Sequence, residues 1–191
     1  MGLIINNSMM SEQKSLDRFS ILSEIIISRR TIRDFEDRDV PKDVIVKILD
    51  IARWSPSGSN LQDWRFVIIR DKKIIKAIKM FSPGWIGSGS PTVIVICSDR
   101  RWAYEKGGIL GRDIMYLIHA GIVLQTIALL AHSMGLGTNP VLSFSKDAVK
   151  ELLRLPEDWE PIILLLIGYP RSIPEPTPRL PLEKLTLWIG E

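Results

Sequence analysis

The chain has 191 residues, 46% hydrophobic and 25% charged, with a formal net charge of +3. That length suits one domain with a full core of its own, and the composition is ordinary for a globular protein. The near-balanced charge gives no argument for a nucleic-acid partner, which would want a basic stripe. A single cysteine, Cys97, excludes an internal disulfide framework and points to a reducing, cytoplasmic setting.

Residues 1–11 lack a basic stretch followed by an apolar one, so no secretory signal is expected, and 1–15 reads as a flexible extension before a single domain over 16–191. Over 16–28, Leu16, Phe19, Ile21, Leu22, Ile25 and Ile26 recur at helical spacing. Pro41 opens a second helix over roughly 42–54, since proline suits a helix start. Residues 55–60, Ser-Pro-Ser-Gly-Ser-Asn, are a loop by every local signal. A strand follows over 64–70 and a helix over 71–80, whose Lys72, Lys73, Lys76 and Lys79 mark a solvated face. The Gly-, Ser- and Pro-rich segment 82–91 is a loop with Trp85 and Ile86 at its middle, the makings of a pocket lid or rim. A strand over 92–98 holds Cys97 as a packed core thiol, because nothing nearby would activate it.

Residues 107–135 form a long helical region, apolar on all sides and so central. Its most apolar run, 120–131, is too short to span a bilayer, and no membrane partner is expected. Glycine stops the helix, and 135–140 is its end. Ser145 caps a short helix to Leu153, 161–169 is a buried strand, and a proline-rich arm over 170–181 leads to an extended last segment, 182–189. Mixed helices and strands put the chain in the α/β or α+β class. The arm is too proline-rich to fold on itself, so it crosses the surface or reaches a partner chain.

The chemistry-bearing residues narrow by elimination. His119 and His132 are the only histidines and are too far apart for one helix turn; with no Cys pair, a zinc site is not expected. No Gly-x-Ser-x-Gly elbow is present, although composition alone leaves a Ser-His-Asp triad open. Neither common glycine cradle for phosphates occurs. Three polar elements remain. Arg29-Arg30-Thr31-Ile32-Arg33 follows an apolar helix and reads as a fixed anion site, because the planar guanidinium fork suits phosphate oxygens. In Pro56-Ser57-Gly58-Ser59-Asn60-Leu61-Gln62, small residues let backbone approach a flat ligand, while Asn60 and Gln62 supply donors and acceptors. The third is Arg179 in the arm, within Thr177-Pro-Arg-Leu-Pro181. Taken singly, each has a plain structural explanation: a helix-end cation, a loop, a solvated arginine.

In this order the three elements resemble those of the FMN-dependent nitroreductase family. Arg29-Arg-Thr-Ile-Arg33 is similar to the family's opening Arg-Arg-Ser-x-Arg. The stretch from Ala52 to Trp64 is similar to Ala-Pro-Ser-x-x-Asn-x-Gln-Pro-Trp. Gly135-Leu-Gly-Thr138 resembles the end of its central helix, and Pro178-Arg-Leu-Pro-Leu-Glu183 its carboxy-terminal arginine motif. The resemblance covers about 25–188. It implies an α+β sandwich, a central mixed β-sheet surrounded by helices, with a domain-swapped arm over 170–191 and a homodimer holding FMN at its interface. Arg29, Thr31 and Arg179, with Arg30 beside them, would hold the FMN phosphate. Arg33 would lie near the ribityl chain or pyrimidine, favouring reduced flavin by Coulomb attraction. Pro56, Ser57, Gly58 and Asn60 would contact FMN across the dimer, with Gln62 supporting the loop. Pro140, Val141 and Leu142 would line the isoalloxazine. The implied activity is ping-pong transfer from NAD(P)H through FMN to a small acceptor such as a nitroaromatic or quinone, with no catalytic side chain and no metal.

Two alternatives stay open: a specialised branch (dehalogenase, flavin-destroying or deazaflavin-linked reductase) and a non-catalytic flavin sensor. Three departures from the family pattern stand out. Asp63 replaces proline after Gln62, which predicts a less rigid loop. His119 replaces aspartate before Ala-Gly, and reads as a buried helix histidine with a satisfied hydrogen bond. No lysine or asparagine occurs in 81–91 to contact the flavin.

Overall fold

The structure, a computed structural model, describes residues 2–190, with side chains from Ser15 onward. The flexible extension expected over 1–15 falls almost wholly outside the described side chains. Among the described residues, six α-helices and four strands form: α1 Gly2–Ser28, α2 Lys42–Ala52, β1 Trp64–Ile69, α3 Lys72–Met80, β2 Thr92–Asp99, α4 Arg100–Leu110, α5 Tyr116–Ser133, β3 Gly137–Val141, α6 Lys146–Leu153 and β4 Trp159–Gly168. One wide turn of π-helix, Gly111–Met115, joins α4 to α5. The caps follow from sequence: Asp71 accepts from the Lys73 and Ile74 amides, Asp99 from the Trp102 amide, and Ser145 from the Ala148 amide.

The strands lie in the order β1-β2-β4-β3, with every neighbouring pair antiparallel. The four-stranded sheet is therefore antiparallel rather than the mixed sheet expected; among the described residues, parallel pairing appears at two isolated bridges, Thr31–Thr138 and Asp34–Ser88. Helices cover both faces. Ile94 and Ile96 of β2 and Ile163, Leu165 and Ile167 of β4 face α2 and α5, whereas Val93, Val95 and Cys97 with Leu164 and Leu166 face α3 and α6. Two-sided burial explains why the central strands β2 and β4 read as unbroken apolar runs despite antiparallel pairing. Burial pushes the Cys97 thiol up to about 12, so it is the inert core thiol expected.

Two segments differ from expectation. Residues 137–141 are a strand, although Gly, Asn and Pro argue for a loop. The reason is position: β3 is an edge strand. Thr138 turns its carbonyl outward to the Ile32 amide (3.0 Å), and Pro140, two residues on, shares that outward side. A missing N–H there breaks no ladder bond. The last segment is not extended throughout: Leu182–Lys184 makes a 3₁₀ turn.

By length and composition alone, the continuous helical run Arg100–Ser133 is long and apolar enough to cross a membrane, with a mean hydropathy of 2.0 over its most apolar window. About a third of that window is buried within the chain, which accounts for its inner face. α5 packs on α1, α2 and all four strands, burying Ala120, Val123, Ile127 and Ala131.

Candidate functional site

α1 ends at Ser28, and the next residue pair divides the labour. Arg30 folds back, donating from Nη1 to the carbonyls of Ile27 (2.6 Å) and Arg29 (2.9 Å), so it caps helix carbonyls left without amide partners. The chain then runs beside β3, with Ile32 buried inward and Thr31 and Arg33 on the other side. Gly137 makes this approach possible, because a Cβ there would meet Ile32 Cγ1 at 2.4 Å. The arm returns Arg179 to the same place. Arg29, Arg30, Thr31, Arg33, Thr177 and Arg179, together with Glu175, line one cavity of about 180 Å³.

The cations of this cavity are not neutralised. Arg179 Nη1 donates only to its own neighbours, Thr177 Oγ1 (2.6 Å) and the carbonyls of Thr177 and Pro178. Among the described residues, none of Arg29, Arg30, Arg33 and Arg179 forms an ion pair. Burial, then Arg179, then Arg30 push the Arg29 guanidinium below its usual range. His132, hydrogen-bonded through Nε2 to Ser28 Oγ (2.8 Å), is likewise lowered by burial, Arg29 and Arg30. Four arginines against one lining carboxylate, Glu175, with no ion pair formed to any of them, make a site that an anion would relieve.

Pro140 and Leu142 are exposed at the β3 end, whereas the Val141 side chain is buried in the core under α6. Only the backbone of Val141 is left to meet a ligand. Segment 82–91 is fastened rather than mobile: Ser88 N–H donates to the Arg33 carbonyl, Phe35 N–H to the Ser88 carbonyl, and Ser88 Oγ to Asp34 Oδ1. Trp85 is buried and Ile86 exposed, so the segment is a rim only in the sense of a fixed border along Arg33–Phe35, and none of its residues lines the arginine cavity.

The 56–62 loop lies elsewhere on the chain, and the cavity it lines shares no residue with the arginine cavity. Pro56, Ser57 and Gly58 with Met115, Ile118, His119 and Ile122 border about 320 Å³. Ser59, Asn60 and Gln62 all hold left-handed backbone (φ 50°, 54° and 48°), an unfavourable conformation for residues with a Cβ. The loop is over-determined by contacts. Ser57 Oγ accepts from the Gln62 amide (3.0 Å), Leu61 is buried, and Trp102 Nε1 donates to the Leu61 carbonyl (2.7 Å).

Asp63 overturns the expectation of a loosened loop. It is buried, it accepts from Ser98 Oγ at Oδ2 (2.6 Å), and its Oδ1 lies 2.5 Å from Nδ1 of the equally buried His119. His119 Nε2 in turn accepts from the Gly58 amide (2.9 Å). The two departures in sequence are therefore partners in space. Their signal was present, a lone charge before a strand and a lone histidine in an apolar helix, but their pairing across 56 residues was not. The histidine–carboxylate pair here does not complete a hydrolytic triad. Ser98 bonds the carboxylate, not the imidazole, so no nucleophile faces His119 Nε2.

Residues 26–84 and 86–169 match the sequence profile of the nitroreductase family. A protein from Thermus thermophilus named NADH dehydrogenase is 30% identical, over 85% of this chain and 93% of its own. The FMN reductase [NAD(P)H] of Bacillus subtilis is 29% identical, over 85% and 72%. Among solved structures, a protein from Exiguobacterium sibiricum in complex with FMN shares the fold, with a TM-score of 0.78, 24% identity, and coverage of 88% of this chain and 97% of that one. With the profile spanning most of the domain, and the arginine cluster and the loop of the opening motifs standing on it, the chain belongs to the nitroreductase family.

Proposed function

We propose that the chain is an FMN-dependent NAD(P)H oxidoreductase that passes reducing equivalents to a small acceptor such as a nitroaromatic or quinone, in two half-reactions. The observation that carries the reading is the set of unpaired arginines around the 180 Å³ cavity, whose charge and size suit a phosphate monoester. Arg29, Thr31 and Arg179 hold the FMN phosphate, with Arg30 bracing the turn beneath it. Arg33 stands next to them on the same face, where its charge favours reduced flavin. FMN, when bound, supplies the two-electron chemistry, taking reducing equivalents from NAD(P)H and giving them to the acceptor. The protein's own part is binding, orientation and exclusion of water, so no catalytic side chain is assigned. Relatives' names, FMN reductase [NAD(P)H] among them, support the same cofactor pair.

The unit of function in this reading is a homodimer. Its support is an exposed apolar surface too extensive for a monomer. Leu16, Phe19, Leu22 and Ile27 on α1 are exposed, as are Ile114 in the π-turn and Leu117 and Ile118 on α5. The arm over 170–190 is exposed nearly throughout and carries Leu187, Trp188 and Ile189 into solvent. A second copy covers these surfaces, brings its 56–62 loop to the FMN anchored by Arg29 and Arg179, and is wrapped by the arm. A cytoplasmic location, where reduced nicotinamide is plentiful, fits the single buried thiol.

Purified protein tests this directly. It should be yellow, or become so with added FMN, and should oxidise NADH or NADPH in the presence of a nitroaromatic or quinone. A colourless protein that takes up no FMN overturns the reading; a yellow dimer that never consumes reduced nicotinamide favours the sensor.

A further inference from the structure

The buried chain Ser98–Asp63–His119 ends on a backbone amide of the proposed flavin loop, and nothing in the redox reading uses it. Hydrogen-bond bookkeeping fixes its protonation. The Gly58 amide can only donate, so Nε2 of His119 presents its lone pair, and the ring proton sits on Nδ1 and is donated to Asp63 Oδ1. The second carboxylate oxygen is filled by the Ser98 hydroxyl. Every polar atom of the chain is thus satisfied in one arrangement, and the other neutral tautomer would set an Nε2–H against the Gly58 N–H. The loop held this way cannot hold itself: three non-glycine residues flanking Leu61, namely Ser59, Asn60 and Gln62, are left-handed, and the 3₁₀ turn Gly58–Asn60 is too short to be stable alone.

We propose that His119, oriented by Asp63 and Ser98, is a positioning residue for the cofactor: it fixes the Gly58 amide and thereby the backbone of 57–62 in the shape that meets FMN. The inference rests on the FMN reading above for its ligand, not for its geometry. Gly58 itself is pressed against Met115, so the loop has one seat on α5, and the imidazole defines its depth. Asp63 does more than charge balance. It selects the Nδ1-protonated form, which is otherwise the minor tautomer of a free imidazole, and it ties the loop to β2 through Ser98 and through its own carbonyl, which accepts from the Asp99 amide (2.8 Å).

The test has two arms. In wild-type protein, with or without FMN, nitrogen NMR should find His119 protonated at Nδ1, and hydrogen exchange should find the Gly58 amide protected; an Nε2-protonated ring or an unprotected Gly58 overturns the proposal. In His119→Phe, which keeps a buried ring and removes both bonds, FMN affinity should fall by about tenfold or more and the visible circular dichroism of bound FMN should change. Unchanged affinity and an unchanged flavin signal in a folded His119→Phe protein overturn it as well. Wild-type protein that binds no FMN refutes the function reading instead, and the first arm still decides whether His119 holds the loop.

Discussion

At the scale of single residues, the arginines divide by what they already touch. Arg30 is committed to helix carbonyls, whereas Arg29 has no side-chain partner among the described residues and Arg179 bonds only to its own turn. Two adjacent guanidinium groups repelling each other gain most from an anion between them. Arg29→Ala and Arg179→Ala each remove one charge-assisted contact of roughly 1.5–3 kcal/mol, so FMN affinity should fall by about ten- to a hundredfold in either variant. Fluorescence titration measures this directly, and an unchanged dissociation constant places the phosphate elsewhere. Arg30→Ala should instead act chiefly through the end of α1. The run Arg29–Arg33 stood out in sequence as a candidate anion site because charge density needs no geometry to be noticed. Arg30's separate duty was not, because it depends on the guanidinium folding back one turn.

At the scale of elements, the most constrained feature is the rim 82–91 lying along the stretch Arg33–Phe35. Gly87 (φ 118°) and Gly89 (φ 87°) both lie where side chains are rarely accommodated, and a Cβ on either would meet the Arg33 or Phe35 carbonyl oxygen at 2.0 or 2.2 Å. Gly87→Ala should therefore cost about 1–3 kcal/mol of stability, read as a lower denaturant midpoint, and should weaken FMN binding by displacing the Arg33 backbone. A variant with wild-type stability would show that the rim yields freely. Composition marked this segment as a loop with Trp85 and Ile86 in its middle. Whether it was a lid or a rim depended on backbone pairing with a stretch some fifty residues earlier, which no local signal carries. β3 shows the same limit in reverse. Its Gly-Thr-Asn-Pro sequence argues against a strand, and only its place at the sheet edge, beside Thr31, makes one of it.

At the scale of the whole molecule, the exposed arm and the bare faces of α1 and α5 are the features that one chain does not explain. Deleting 180–191 removes Leu180, Leu182, Leu185, Leu187, Trp188 and Ile189 but spares Arg179. Burial of even a few such side chains is worth roughly 1.5–3 kcal/mol each, so dimerisation should weaken by more than about tenfold. Sedimentation at varied concentration measures it, and an unaltered dimer would show that the arm wraps no partner. The sequence by itself determined the mixture of helices and strands, the core strands and the cluster of arginines, because hydrophobic periodicity, capping residues and charge clusters are local quantities. It also carried the family, through motifs whose order survives without coordinates. Only the tertiary structure decided that Asp63 and His119 are one buried device, that 82–91 is a fixed rim, and that Val141 turns its side chain inward. Each of these depends on which distant residues are packed together, and burial then removes every hydrogen-bonding alternative but one.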